Sequence, residues 1–324
     1  MPVRAFLLFS CVAASPLHEA ASENNSTLLS AILAQGDAEL EELDENGLTA
    51  LHHAAYEDSP DAAGVLLAAG AARETRSKEP SLTALHWAAG QGSEATTAVL
   101  VKAGSLIEAQ DGGGRTPLHF AAVRGFADVL SVLLAAGAQI DAVSDLNVTA
   151  LQMAAEQGQT DVVVRLLAAG ANVEAQGDEA QMTALHVAAA MNHTETVRAL
   201  LRGGASVSTV DRRGRTALHV AAAYGSDGAL RALLPHGKAE GVLSKTDADG
   251  STAMHIVAAA GDRTGAEALC LEGADADAVV DAQGRTPLQL ATEGGHAEVI
   301  LLLSQLCRGR ADHTRQMGHE SSDL

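Results

Sequence analysis

Aromatic side chains are scarce: one Trp, two Tyr and four Phe make up 2% of the 324 residues. Rings usually carry much of a core's buried area, so the 47% of hydrophobic residues here must fill the interior with Ala, Leu and Val. Such side chains let helices approach closely and leave few large anchors. Basic charge is also short. Twenty-one Lys and Arg stand against 41 Asp and Glu, for a net charge of −20 and a sequence pI near 4.9. That balance argues against general binding to phosphate backbones or anionic lipid and favours basic or neutral protein surfaces. The three cysteines, Cys11, Cys270 and Cys307, give no disulfide framework and no zinc spacing. Cys270 reads as a small buried hydrophobe within a helix. The apolar run Ala5 to Ala14 is too short to span a membrane. A phosphate loop, a His-Glu-x-x-His and a paired Cys-x-x-Cys are all missing, so no catalytic residue, cofactor or metal ligand is expected.

What is present is a period. The stretch Arg115-Thr116-Pro117-Leu118-His119-Phe120-Ala121-Ala122 returns along the chain, and its threonine recurs at Thr49, Thr83, Thr116, Thr149, Thr183, Thr216, Thr252 and Thr286, at spacings of 34, 33, 33, 34, 33, 36 and 34 residues. A fixed period of this length marks a repeat architecture. Within one unit, Thr116 caps a helix N-terminus and Pro117 sits at the first helical position, where its missing N–H costs nothing. Leu118, Ala121 and Ala122 share a face, and Gly125 ends the helix in a left-handed turn. A second apolar helix over about 127–136 closes at Gly137. One such pair cannot bury both sides of its apolar sandwich, so neighbours must stack.

The linking turns are legible too. Five residues before the threonine stands Asp44, Lys78, Asp111, Ser144, Asp178, Asp211, Asp247 or Asp281, and two before it Gly47, Ser81, Gly114, Asn147, Gln181, Gly214, Gly250 or Gly284. This is Asp-x-x-Gly turn chemistry, with Ser81 and Gln181 its weak points because neither favours positive φ. The glycine-rich Asp111-Gly112-Gly113-Gly114 is one of these turns and not a phosphate cradle.

The Thr-x-Leu-His-x-Ala-Ala segments, with the Leu-Leu pairs and Gly-Ala that follow, resemble the ankyrin repeat over roughly Asp44 to Leu306. The resemblance implies an all-α solenoid of stacked helix-turn-helix units with projecting β-hairpin fingers, about eight repeats in one elongated domain. It also implies that His52, His86, His119, His186, His219 and His255 bond within their own unit and to neighbouring backbone, with Gln152 and Gln289 standing in the same slot. Residues 1–21 read as an apolar leader outside the repeats, 22–307 as the solenoid with 22–43 a degenerate cap, and 308–324 as a polar, disordered tail. Ser26 to Gly36 is expected to be the cap's first helix, with most of a second helix missing. Lys238 to Thr246 should lengthen one finger after a helix end altered by Pro235, and Gly265 should weaken its helix. The apolar end of the last repeat, Val299 to Leu306, needs a cover.

The implied function is non-enzymatic binding of a protein partner by finger tips and the concave helix face. The residues after Ala-Ala on the first helices, Tyr56, Glu57, Arg124, Glu156, Gln157, Met191 and Tyr224, and the finger residues Arg115, Arg212, Arg213 and Arg215, are the candidates for contact. Trp87 reads either as a hot spot or as packing between repeats. Eleven acidic and no basic residues from Glu19 to Asp61 form a negative pole, and Arg198, Arg202, Arg212, Arg213, Arg215 and Arg231 the main basic concentration. The alternative is an adaptor or regulator of an enzyme, such as a substrate receptor of a ubiquitin ligase or an inhibitor. A monomer with no nucleic acid and no membrane span is expected. The resemblance points to the cytoplasm or nucleus. Residues 1–15 have the make-up of a signal peptide and would direct secretion if used as one. Sequons at Asn24, Asn25, Asn147 and Asn192 do not decide between the two.

Overall fold

The structure is a computed structural model that describes residues 15–275 and 280–307. The leader run 5–14 and the tail from 308 lie outside the described residues, with the expectations attached to them. The chain divides into two compact units, with the boundary between Asp145 and Leu146. Contacts in a repeat stack run only between neighbours, so a division severs few of them.

The first unit holds four helix pairs among its described residues: α1 (Pro16–Ser22) and α2 (Ser26–Leu33), α3 (Ala50–Tyr56) and α4 (Pro60–Ala68), α5 (Ala84–Gln91) and α6 (Glu94–Lys102), α7 (Pro117–Arg124) and α8 (Ala127–Ala135). The second holds five: α9 (Ala150–Glu156) and α10 (Thr160–Ala168), α11 (Ala184–Ala190) and α12 (Thr194–Arg202), α13 (Ala217–Tyr224) and α14 (Asp227–Ala239), α15 (Ala253–Ala260) and α16 (Arg263–Glu272), α17 (Pro287–Glu293) and α18 (Ala297–Leu302). A π-helical turn, Leu303–Cys307, follows. Within each unit first helices stack on first helices and second on second, α3 on α5 and α4 on α6 for example. The alanine pairs Ala54–Ala55, Ala88–Ala89 and Ala188–Ala189 are wholly buried and set the close approach, while Leu51, Leu85, Leu185 and Leu218 fill the space between layers.

Each first helix starts as the threonine chemistry dictates. Thr49 has extended backbone, φ −84° and ψ 166°. Its N–H donates to His52 Nδ1 at 3.1 Å, and its hydroxyl lies 2.7 Å from the same nitrogen. A backbone N–H can only donate, so Nδ1 is bare and the proton sits on Nε2. Nε2 donates to the carbonyl of Leu82 in the next repeat at 3.0 Å. His86 reaches Arg115 O at 3.1 Å, His186 reaches Arg215 O at 3.0 Å, His219 reaches Ser251 O at 3.0 Å and His255 reaches Arg285 O at 3.1 Å. Each neutral imidazole therefore closes a cap and ties two repeats together.

The same device corrects the reading of the N-terminal segment. Ser15 lies 34 residues before Thr49 (49 − 15) and does the threonine's work, its hydroxyl 2.7 Å from His18 Nδ1 while His18 Nε2 donates to Leu48 O at 3.1 Å. Residues 16–21, expected outside the repeats, are thus a first helix, α1. Ser26–Leu33, expected as a first helix, is the second, capped by Asn25 Oδ1 at 3.0 Å from Leu28 N. No helix is missing from this pair.

The fingers are hairpin-like turns. Asp111 N–H donates to Arg115 O at 2.9 Å, and the Asp111 carboxylate accepts from Gly113 N–H at 2.9 Å and Arg115 N–H at 2.8 Å. The turn is too short to add a second rung, so among the described residues no strand forms and the pairing stops at isolated bridges such as the antiparallel one from Gly177 to Met182. Gly114 has φ +72°, and a Cβ there would lie 2.4 Å from Asp145 Oδ1 and 2.6 Å from Asp145 N, so only glycine lets the next finger approach. Ser81 and Gln181 accept the same strain at φ +57° and +54°. Gln181→Gly is therefore expected to stabilise the chain by about 1 kcal/mol, read as a higher urea midpoint.

Two second helices depart from expectation. The extra residues near Pro235 lengthen helix α14 to 13 residues, against nine in α12, and not the finger. Leu233, Leu234 and Gly237 are buried along it and hold the helix through the proline. Gly265 lies in the first turn of α16, where its N–H is capped by Asp262 Oδ1 at 3.0 Å. A Cβ would meet Asp262 Oδ2 at 2.2 Å and Val257 Cγ1 at 2.9 Å. Gly265→Ala should therefore lower the thermal midpoint by a stability loss of about 1–3 kcal/mol, the reverse of what helix propensity alone gives. Cys270 is buried on α16 as expected, but it is disulfide-bonded, which corrects the expectation that the cysteines form no disulfide. Leu301 on α18 is 57% exposed, while Val299 and Leu303 are buried.

Candidate functional site

The candidate residues fall at two kinds of place. Helix α3 ends at Tyr56 and is capped by Glu57, α7 ends at Arg124, α9 ends at Glu156 and is capped by Gln157, α11 is capped by Met191, and α13 ends at Tyr224. Glu57, Glu156, Gln157, Met191 and Tyr224 are exposed, and Tyr56 and Arg124 are half-buried. Met191 at 49% and Tyr224 at 62% are the large apolar side chains at these ends that stand well out in solvent. They occupy the same position of successive first helices, eight residues after Thr183 and Thr216.

The finger arginines divide. Arg212 and Arg213 are exposed. Arg212 N–H donates to Ala180 O at 2.9 Å, and Arg213 N–H to Asp211 Oδ1 at 2.9 Å. Arg115 and Arg215 each hold their own turn through the guanidinium. Arg115 Nη2 lies 2.6 Å from Asp111 Oδ2, and Arg215 Nη2 lies 2.7 Å from Asp211 Oδ2. Arg285 repeats the pattern on Asp281 at 2.8 Å. Burial alone would raise the Asp111 and Asp211 carboxyls, but hydrogen bonds from the arginine side chains and from turn N–H groups hold both below the usual carboxylate range. The sequence carried this signal as an Asp followed four residues later by Arg.

Part of the acidic pole is structural as well. Glu41 accepts from Ala72 N–H at 2.7 Å and from the Thr75 hydroxyl. Glu74 accepts from Leu106 N–H and Glu108 from Gln139 N–H, each at 2.8 Å. In the second unit Glu174 takes Ser206 N–H at 2.7 Å and the Thr209 hydroxyl at 2.6 Å. These carboxylates link each repeat to the next and are not free for a partner.

The first unit also contains a cleft of about 230 Å³ between α5 and α7, walled by Pro80, Leu82, Trp87, Phe120 and Val123 and rimmed by Gln91, Arg115 and Arg124. Trp87 is 5% exposed, and its ring packs against Tyr56 at 5.8 Å between centroids. The packing reading of Trp87 holds, and the cleft reaches it. The Arg115 guanidinium lies over the Phe120 ring at 4.9 Å. No motif in the sequence marks this cleft. Its trace is a gap: Gly90 occupies the position held by Tyr56 one repeat earlier and Val123 one repeat later. Among the described residues no cluster of three His, Cys, Asp or Glu is placed to hold a metal, and no helix is long and apolar enough to cross a membrane.

The family description "Ankyrin repeats (3 copies)" matches residues 6–76, 71–144, 151–242 and 239–316. The chain belongs to the ankyrin-repeat family. It is similar to the human ASB11 ankyrin repeat domain, known from a crystal structure, with 31% identity and a TM-score of 0.61 over 69% of this chain and 98% of that one. No curated protein matches the chain in sequence. Ankyrin repeats serve as protein-interaction modules, and that is the class of function the chain carries.

Proposed function

We propose that the second unit docks a protein partner on the ends of α11 and α13 and the finger before α13, with Met191 and Tyr224 as apolar anchors and Arg212 and Arg213 as the charged rim. The carrying observation is the exposure of Met191 and Tyr224 at one repeated position, among helix ends whose other exposed candidates, Glu57, Glu156 and Gln157, are polar. The stack beneath them is held by caps and inter-repeat hydrogen bonds, so little ordering cost opposes association. The rim arginines add steering toward an acidic face and lose that effect in salt.

The test compares the full chain with Met191→Ala and Tyr224→Ala as baits under quantitative affinity capture, followed by titration of each captured protein. Tyr224→Ala is expected to weaken the true partner by about 2 kcal/mol or more with unchanged helicity. Undiminished binding by both variants would remove this surface from the account. A captured catalytic subunit, lost with the same variants, would make the module an adaptor for an enzyme.

A further inference from the structure

The chain has seven aromatic residues outside histidine, and three of them, Tyr56, Trp87 and Phe120, fall on consecutive repeats of the first unit. Gly90 sits in their midst. A Cβ there would stand 3.3 Å from Phe120 Cδ1, so the missing side chain keeps the cleft open against the ring. The formally charged residues lining the cleft are Arg115 and Arg124, while its histidines, His86 and His119, lie buried in the capping network. On a chain of net charge −20, the residues lining this cleft include two arginines and no carboxylate. Arg115 is held rigidly, with Nε at 2.9 Å and Nη2 at 2.6 Å from Asp111 Oδ2 and its face on Phe120. Its Nη1 has no hydrogen-bond partner among the described residues, which leaves two oriented donors for an incoming acceptor.

We infer that the cleft between α5 and α7 is a peptide-binding site that takes an aromatic or branched aliphatic side chain adjoining a carboxylate, supplied by an acidic segment of a partner protein. Trp87, Phe120 and Val123 receive the apolar group, and Arg115 Nη1 takes the carboxylate. The assignment rests on the reading of the chain as a protein-binding module and uses a surface separate from Met191 and Tyr224.

The probe is a random peptide library displayed on phage and selected against the full-length chain, with each enriched peptide then synthesised and titrated. Enriched sequences are expected to share an apolar residue next to Asp or Glu. Gly90→Leu fills the cleft while favouring its helix, and it should weaken those peptides at least about tenfold with helicity retained. Gln91, half-exposed on the rim, supplies a variant that leaves packing alone. Gln91→Glu should weaken binding about fivefold and Gln91→Lys strengthen it about as much at low salt, whereas a basic ligand would reverse both signs and overturn the inference. Failure to enrich any peptide, or equal binding by wild type and Gly90→Leu, would also overturn it. Peptides lost on Tyr224→Ala but kept by Gly90→Leu would sink the cleft assignment and leave the binding-module reading standing.

Discussion

Acidification from pH 7 to pH 5 is expected to cost the wild-type chain about 2 kcal/mol at each of His52 and His86, and a histidine-to-glutamine substitution in either slot should remove that share. Burial pushes His52 and His86 each down to about 4, and lowers His186, His219 and His255 as well. In the unfolded chain these imidazoles take up a proton near pH 6.5. Between those values the unfolded state binds more protons than the native one. The stabilisation is therefore complete above about pH 6.5 and is lost as pH falls toward 4. Protonation at Nδ1 would also set a donor against the threonine N–H, so the native state has no way to absorb the charge. The chain carries its own control. Gln152 occupies the slot without titrating: its Oε1 accepts Thr149 N–H at 2.8 Å and its Nε2 donates to Met182 O at 2.7 Å. His86→Gln should therefore keep both links at pH 7. Urea denaturation of wild type and variant at pH 7 and pH 5 reads the result. Equal losses in the two chains on acidification would show that His86 is not among the groups responsible.

Helix starts, left-handed ends and finger turns were legible because each is written in adjacent residues. Thr116 followed by Pro117, Gly125 after the alanines, and Asp111 before Gly114 need no knowledge of a neighbour. The first helix pair escaped for a local reason: Ser15 stands where threonine was sought. The links between repeats were hidden because they join residues about thirty apart. Glu74, Glu108 and Glu174 look like surface charge until the backbone N–H groups they accept are in place, and Arg115 looks like a free cation until it is seen on Asp111. Tyr224 and Met191 were found by counting from the threonine. The cleft was not, since a void left by Gly90 has no residue of its own to announce it.

The largest effect from a single surface-level change is expected at Gly158, and its rescue should come from the next repeat. Where a first helix ends in the left-handed Asn24, Asp58 or Asn192, the second helix of the next repeat is preceded by serine. Asn24, Asp58 and Asn192, at φ of 54°, 50° and 57°, give a side-chain oxygen to Ala62, Thr96 and Ala229 N–H at 2.9, 2.9 and 3.0 Å. The serines, Ser59, Ser93 and Ser226, donate back to the carbonyls of Ser22, Tyr56 and Ala190. Where the end is glycine, a ring can take the serine's place: Phe126 covers Gly92, His193 covers Gly158 and His296 covers Gly261. His193 Nε2 donates to Glu156 O at 2.9 Å, the same carbonyl position the serines use. A Cβ on Gly158 would lie 2.7 Å from His193 Nδ1 at φ +69°. Gly158→Asn alone should thus cost about 2–3 kcal/mol through clash and the lost bond, and His193→Ser alone about 1 kcal/mol. Together they recreate the other pairing: the introduced asparagine can cap Thr196 N–H and the introduced serine can reach Glu156 O. The double variant should be more stable than Gly158→Asn, giving a coupling energy of about 2 kcal/mol in a double-mutant cycle of urea midpoints. Additive losses would mean that the two pairings are independent choices and not one lock shared between neighbouring repeats.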